Sequence, residues 1–128
     1  MTILREMIAS HPHVRGAVND ELVRAAELAA ACAAICRACA DACLGEEMVS
    51  DLVQCIRLDL DCADLCAVTG RILSRQTAFD ATLARAVLEA CVAACKACGD
   101  ECRHHGEIGD GTLPDLRRGM PSVRAGVP

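Results

Sequence analysis

Four cysteines fall within CAAICRACADAC, residues Cys32 to Cys43, at steps of four, three and four, and the same steps return in CVAACKACGDEC, Cys91 to Cys102. Taking about 100° per residue on an α-helix, Cys36, Cys39 and Cys43 lie about 40°, −20° and 20° from Cys32, so the four share one narrow stripe. Cys91, Cys95, Cys98 and Cys102 repeat the arrangement. In a middle segment, Cys55, Cys62 and Cys66 lie at about 0°, −20° and 20°. All eleven cysteines of the chain are therefore on helical stripes. Steps of four and three average about 3.5 residues, the period at which bundled helices face one another. Upstream, the first stripe continues through Ala29, Ala25, Leu22 and Val18, so an apolar seam turns into a thiol seam.

The flanking residues mark out the helices. Asn19 and Asp20 are N-cap residues ahead of an Ala-rich stretch that runs to about residue 44, where Gly45 follows. A second helix is expected over 47–74. A third, capped by Asp80, is expected over 80–105, with Gly106 after His105. Residues 2–10 add a short helix stopped near Pro12. Long helices on short links are the pattern of antiparallel neighbours, so the fold class is all-α, of the antiparallel four-helix-bundle type. Residues 1–105 form the bundle, and residues 106–128 an irregular tail.

A chain of 128 residues suits one domain with a modest core, yet it has no Trp or Tyr and only Phe79 as an aromatic. Its net charge of −5 argues against nucleic acid, which needs a basic face. The start, MTILREMIASHPHVRG, lacks the apolar stretch and cleavage site of a signal peptide. The longest apolar run, Leu28 to Cys36, is too short to span a membrane. A cytoplasmic setting is expected, in which the thiols stay reduced, and an odd number of cysteines fits poorly with a closed set of disulfides.

Side chains three or four residues apart on a helix lie about 5–6 Å apart at Cβ, close enough for two sulfurs to share a soft metal ion. Parallel side chains on one continuous helix do not readily meet disulfide torsions. Thiolates select Cu(I), zinc or iron–sulfur clusters. Structural zinc commonly takes ligands from turn-forming knuckles, which the CxxC pairs Cys36/Cys39 and Cys95/Cys98 lack. The bacterial ferredoxin spacing also fails, because the first gap is three residues rather than two and no proline follows. Low-coordinate Cu(I) tolerates many thiolates along a tube, which reads as storage capacity rather than catalysis. The plainer alternative is cysteine as a small apolar filler, which leaves its confinement to seams unexplained. Asp59, on the middle stripe, reads as a solvated or hydrogen-bonded carboxylate ahead of a metal ligand. His105 reads as a cation at a helix C-terminus ahead of a ligand at the mouth of the bundle, Met48 as a core residue ahead of a ligand, and His11, His13 and His104 as surface residues.

With Cys32, Cys36, Cys39 and Cys43, then Cys55, Cys62 and Cys66, then Cys91, Cys95, Cys98 and Cys102, the chain resembles the cysteine-rich four-helix-bundle copper storage proteins over residues 20–105. The resemblance implies a bundle that holds multiple Cu(I) ions on inward thiolates, with all eleven cysteines as ligands, commonly in a homotetramer. The family closes its bundle with a fourth cysteine-bearing helix; here GEIGDGTLPDLRRGMPSVRAGVP has no cysteine, and Pro114, Gly119, Pro121 and Gly126 disfavour a helix. Leu113, Leu116, Met120, Val123 and Val127 nevertheless keep steps of three, four, three and four. Read one base later, with GC-rich codons, each of the five becomes cysteine. The hypothesis is a frameshift between Cys102 and Leu113, and a nucleotide sequence without cysteine codons in that frame excludes it.

Two classes of function follow. In the first, the chain sequesters Cu(I) and is not an enzyme. In the second, the thiols carry an iron–sulfur cluster or zinc, or sense oxidants. A thioredoxin-like enzyme needs its CxxC beside a βαβ unit, and the sequence shows none.

Overall fold

A computed structural model describes residues 2–108, with side chains as far as His104, and among these residues all regular structure is helical. Thr2 caps α1 (Ile3–Ala9), its Oγ1 accepting a hydrogen bond from the Arg5 N–H at 3.1 Å. The chain then turns through Arg15 and Gly16, at φ 50° and 83°, a left-handed region that glycine enters without a Cβ clash. Asn19 opens α2 (Asp20–Leu44) by accepting from the Leu22 N–H at 3.1 Å. Both caps satisfy a donor that has no partner within its helix.

The second long helix differs from expectation. Residues 45–48 form the turn, Val49–Leu52 is a 3-10 helix, and α3 covers Val53–Ser74 rather than beginning at residue 47. Reversing direction between antiparallel helices uses these residues, and no side chain caps the 3-10 turn to draw the α-helix further upstream. Met48 consequently stands 56 % exposed instead of in the core. Asp80 caps α4 (Ala81–Ile108), accepting from the Leu83 N–H at 3.1 Å. The side chain of His105 and the whole of residues 109–128, including the shifted-frame stretch, lie outside the described residues.

α3 packs along α2 on one side and α4 on the other, and α1 lies against α2. α2 and α3 approach closely because small residues line the contact: a Cβ on Gly70 would stand 3.5 Å from the Ala26 carbonyl oxygen. Antiparallel pairing brings the start of α2, the end of α3 and the start of α4 to the same end of the bundle. That end is apolar, with Leu22, Ala25, Leu73, Ala84 and Leu88 buried. Beyond them toward the other end, the interior is sulfur. All eleven cysteines are buried, and they occupy the volume that aromatic side chains fill in most cores. No described helix is long and apolar enough to cross a membrane.

Candidate metal centre

The thiols form rungs across the three long helices. α3 runs opposite to α2 and α4, so Cys66 near its end meets the sulfurs at the start of the other two rows. Cys66 lies 3.4 Å from Cys95, 3.5 Å from Cys91 and 3.8 Å from Cys62, while Cys62 lies 3.4 Å from Cys95. These separations are far beyond a covalent S–S bond, and all eleven cysteines are free thiols. Two all-sulfur groups have their donor atoms mutually within 4.8 Å: Cys36, Cys62 and Cys98, and Cys62, Cys66 and Cys95.

Nearer the other end the chemistry changes. Asp59 is fully buried among sulfurs. Its Oδ1 accepts from the Cys98 thiol at 2.9 Å and from Cys102 at 3.6 Å, and its Oδ2 accepts from Cys55 at 3.8 Å. Cys55 and Cys102 are 4.0 Å apart, and Cys98 and Cys102 are 3.9 Å apart. A third group, Cys39, Cys55, Asp59 and Cys102, also has all its donor atoms within 4.8 Å of one another. The sequence reading of Asp59 as hydrogen-bonded holds, but its enclosure by thiols was missed. The signal was present in the spacing: Cys55, Asp59, Cys62 and Cys66 follow the same four, three, four steps as the other two rows, with a carboxylate on the second rung.

Burial and neighbours make chemically identical thiols unequal. Hydrogen bonds from Cys66 and Cys95 hold both Cys32 and Cys91 down to about 4, below the ordinary thiol range. Cys62 is also lowered, by the thiols of Cys36, Cys66, Cys95 and Cys98. Cys55 is raised by burial and by the Asp59 charge, and Cys39 by its hydrogen bond with Cys102, with burial and Asp59 adding to it. Burial and Cys39 push Cys43 up to about 11. The partners of the lowered thiols, Cys66 and Cys95, are raised in turn, so the deep section pairs thiols that ionise readily with thiols that keep their protons, while in the outer section a proton must be displaced. Metal ions supply that displacement, since a ligating thiol gives up its proton.

The other singled-out residues lie apart from these groups. His11 Nε2 is within 3.0 Å of Thr77 Oγ1 and joins two loops at the apolar end, with His13 beside it at 5.3 Å between ring centroids. His104 is exposed at the sulfur end. Thr69, which the sequence reading did not single out, is fully buried one turn beyond Cys66, and its hydroxyl donates to the Leu65 carbonyl at 2.7 Å. It marks the boundary between sulfur and apolar packing.

Comparison with known proteins identifies the family of the chain. A family model described as copper storage protein matches residues 18–110. The chain is 39 % identical to the copper storage protein Ccsp of Streptomyces lividans in a structure loaded with 10 copper equivalents, with a TM-score of 0.81 over 96 % of this chain and 98 % of that one. A second Ccsp structure, of copper loading to a cytosolic copper storage protein with five coppers, gives 45 % identity and a TM-score of 0.69 over 84 % and 87 % of the two chains. The uncharacterized cysteine-rich protein YhjQ of Bacillus subtilis is 37 % identical over 63 residues, which is 49 % of this chain and 55 % of YhjQ. The chain thus spans about half the length of that curated relative.

Proposed function

Since the chain belongs to the copper storage protein family, we propose that it takes up several copper ions as cargo, in the Cu(I) state, on the eleven cysteines that line its bundle. The observation that carries this reading is the set of sulfur–sulfur separations of 3.4–3.8 Å around Cys66. Cu(I) is soft and accepts two or three thiolates, and one thiolate can bridge two ions, so a row of such separations holds many ions without a dedicated cage for each.

The helices supply the order and the pH range supplies the rest. Cys32, Cys62 and Cys91 are lowered while their neighbours Cys66 and Cys95 are raised, so these three offer thiolates at neutral pH and ligation at the remaining cysteines releases protons. Leu22, Leu73 and Leu88 close one end of the rows. Holding the ions away from water and oxidants is a storage role rather than a catalytic one. A cytoplasmic setting and a homotetramer complete the reading, both supported by likeness to the family.

Anaerobic titration of the reduced protein with Cu(I) against a competing chelator tests it. Tight uptake of several ions per chain is the expected result. A single equivalent, or a coloured iron centre in the isolated protein, favours the alternative class of zinc, iron–sulfur or thiol-redox protein.

A further inference from the structure

The three metal-competent groups are not alike. Two contain sulfur alone, whereas the third joins Cys39 from α2, Cys55 and Asp59 from α3, and Cys102 from α4. A carboxylate oxygen is a hard donor that adds little for Cu(I), and suits a borderline divalent ion far better. The spacing fits such an ion. With metal–sulfur bonds of about 2.3 Å and metal–oxygen bonds of about 2.0 Å, a tetrahedron has sulfur–sulfur edges of about 3.8 Å and sulfur–oxygen edges of about 3.5 Å. Cys55 and Cys102 are 4.0 Å apart, Cys55 is 3.8 Å from Asp59 Oδ2 and Cys102 is 3.6 Å from Asp59 Oδ1, the carboxylate's two oxygens facing one sulfur each; with one donor atom from each of the four residues, all separations stay within 4.8 Å, so a small inward movement closes the site on an ion.

We propose that Cys39, Cys55, Asp59 and Cys102 form a mixed-donor tetrahedral site for one divalent borderline cation, zinc(II) being the natural fit, distinct in preference from the all-sulfur groups deeper in the bundle. Charge favours this assignment. Three thiolates and a carboxylate buried together repel one another, and a doubly charged ion offsets more of that repulsion than a singly charged one. Cys98 supports the site without ligating, because its thiol donates to Asp59 Oδ1 at 2.9 Å and fixes the carboxylate's orientation. On binding, the cation replaces the three thiol protons, which leave to solvent, and no electron is transferred. The site takes its ligands from three helices and no knuckle, so spacing along the chain places Asp59 on the thiol row but does not reveal which cysteines surround it.

The test is anaerobic titration of the reduced full-length protein with Co(II), whose visible spectrum reports geometry and sulfur ligation, followed by competition with Zn(II). The expected result is one tightly bound Co(II) per chain with a tetrahedral spectrum and thiolate charge-transfer bands, displaced by Zn(II). Asp59→Asn keeps an oxygen and loses a charge; Asp59→Ala removes both. Asp59→Ala is expected to weaken Co(II) binding at least about tenfold, the loss typical even of a partner that only orients a ligand, with helicity by circular dichroism confirming the fold. A spectrum unchanged by Asp59→Ala overturns the inference. So does absence of cobalt uptake by protein that still takes up Cu(I), a result that leaves the copper reading standing. Absence of both uptakes overturns the two together.

Discussion

Cys66 of α3 and Cys95 of α4 bring their sulfurs within 3.4 Å of each other although 29 residues separate them in the chain. Neither helix alone makes that contact. It exists because Cys66 stands where an antiparallel α3 delivers it to the start of the α4 row, and it makes Cys66 a neighbour of Cys62, Cys91 and Cys95 at once.

Substituting a thiol at the centre of this network is expected to cost more copper than substituting one at its edge. Cys66→Ser removes a sulfur with three close sulfur neighbours, whereas Cys43→Ser removes one from the last turn of α2. Chelator-competed Cu(I) titration of the two variants checks the order, and a larger loss in Cys43→Ser contradicts it.

Alkaline pH is expected to destabilise the metal-free protein. The Cys43 thiol is raised to about 11 from an ordinary 9.0, so between those values the unfolded chain binds fewer protons than the folded one and stability falls as pH rises. Cys39 and Cys55 are raised too and act in the same direction. The stability they contribute is complete below the unfolded value and disappears as pH passes the folded one. Denaturant melts of reduced apo-protein across this range show the trend; a flat profile is the contrary outcome.

Copper is expected to raise the melting temperature, because ligand bound only by the folded state stabilises it. A single site at a hundredfold excess of free ion over its Kd adds about 2.7 kcal/mol. Differential scanning calorimetry before and after chelator treatment measures the shift, which should reverse on removal of the metal.

Leu73 is fully enclosed at the apolar end of the bundle, where no sulfur can replace its volume. Leu73→Ala is expected to cost about 2–5 kcal/mol by leaving a cavity. Because the change lies beyond the thiol rows, copper capacity of the folded variant should stay close to that of the parent chain.

Gly70 offers a change in the opposite direction. A Cβ there meets only ordinary contacts, at 3.5 Å from the Ala26 oxygen, 3.7 Å from the Ala30 nitrogen and 3.9 Å from the Ala29 Cβ. Gly70→Ala removes a flexible residue from the interior of α3 and is expected to stabilise by about 0.5–1 kcal/mol. A loss of stability in urea melts would show that α2 and α3 approach too closely to admit a methyl group.

Much of this protein was legible before its fold was known, and the reason is that helical period is local. The steps from Cys32 to Cys43 and from Cys91 to Cys102 place each row on one face whatever lies opposite, and Asn19 and Asp80 each act on the amide three residues away. The start of α3 was less legible, because the length of the turn after Gly45 depends on where α3 must lie against α2. Met48 left the core for the same reason.

The sequence by itself determined that this chain makes sulfur-lined helices, since one residue's step to the next along a helix is a matter of backbone geometry alone. Only the tertiary structure decided which sulfurs meet, because the offset between antiparallel helices arises from side-chain packing across them. It decided also that Asp59, one rung among eleven thiols, lies buried against Cys55, Cys98 and Cys102, and that Cys32 and Cys91 are lowered while Cys39 and Cys55 are raised. Identical side chains acquire different chemistry from the charges and hydrogen bonds that surround them, and those neighbours come from other helices.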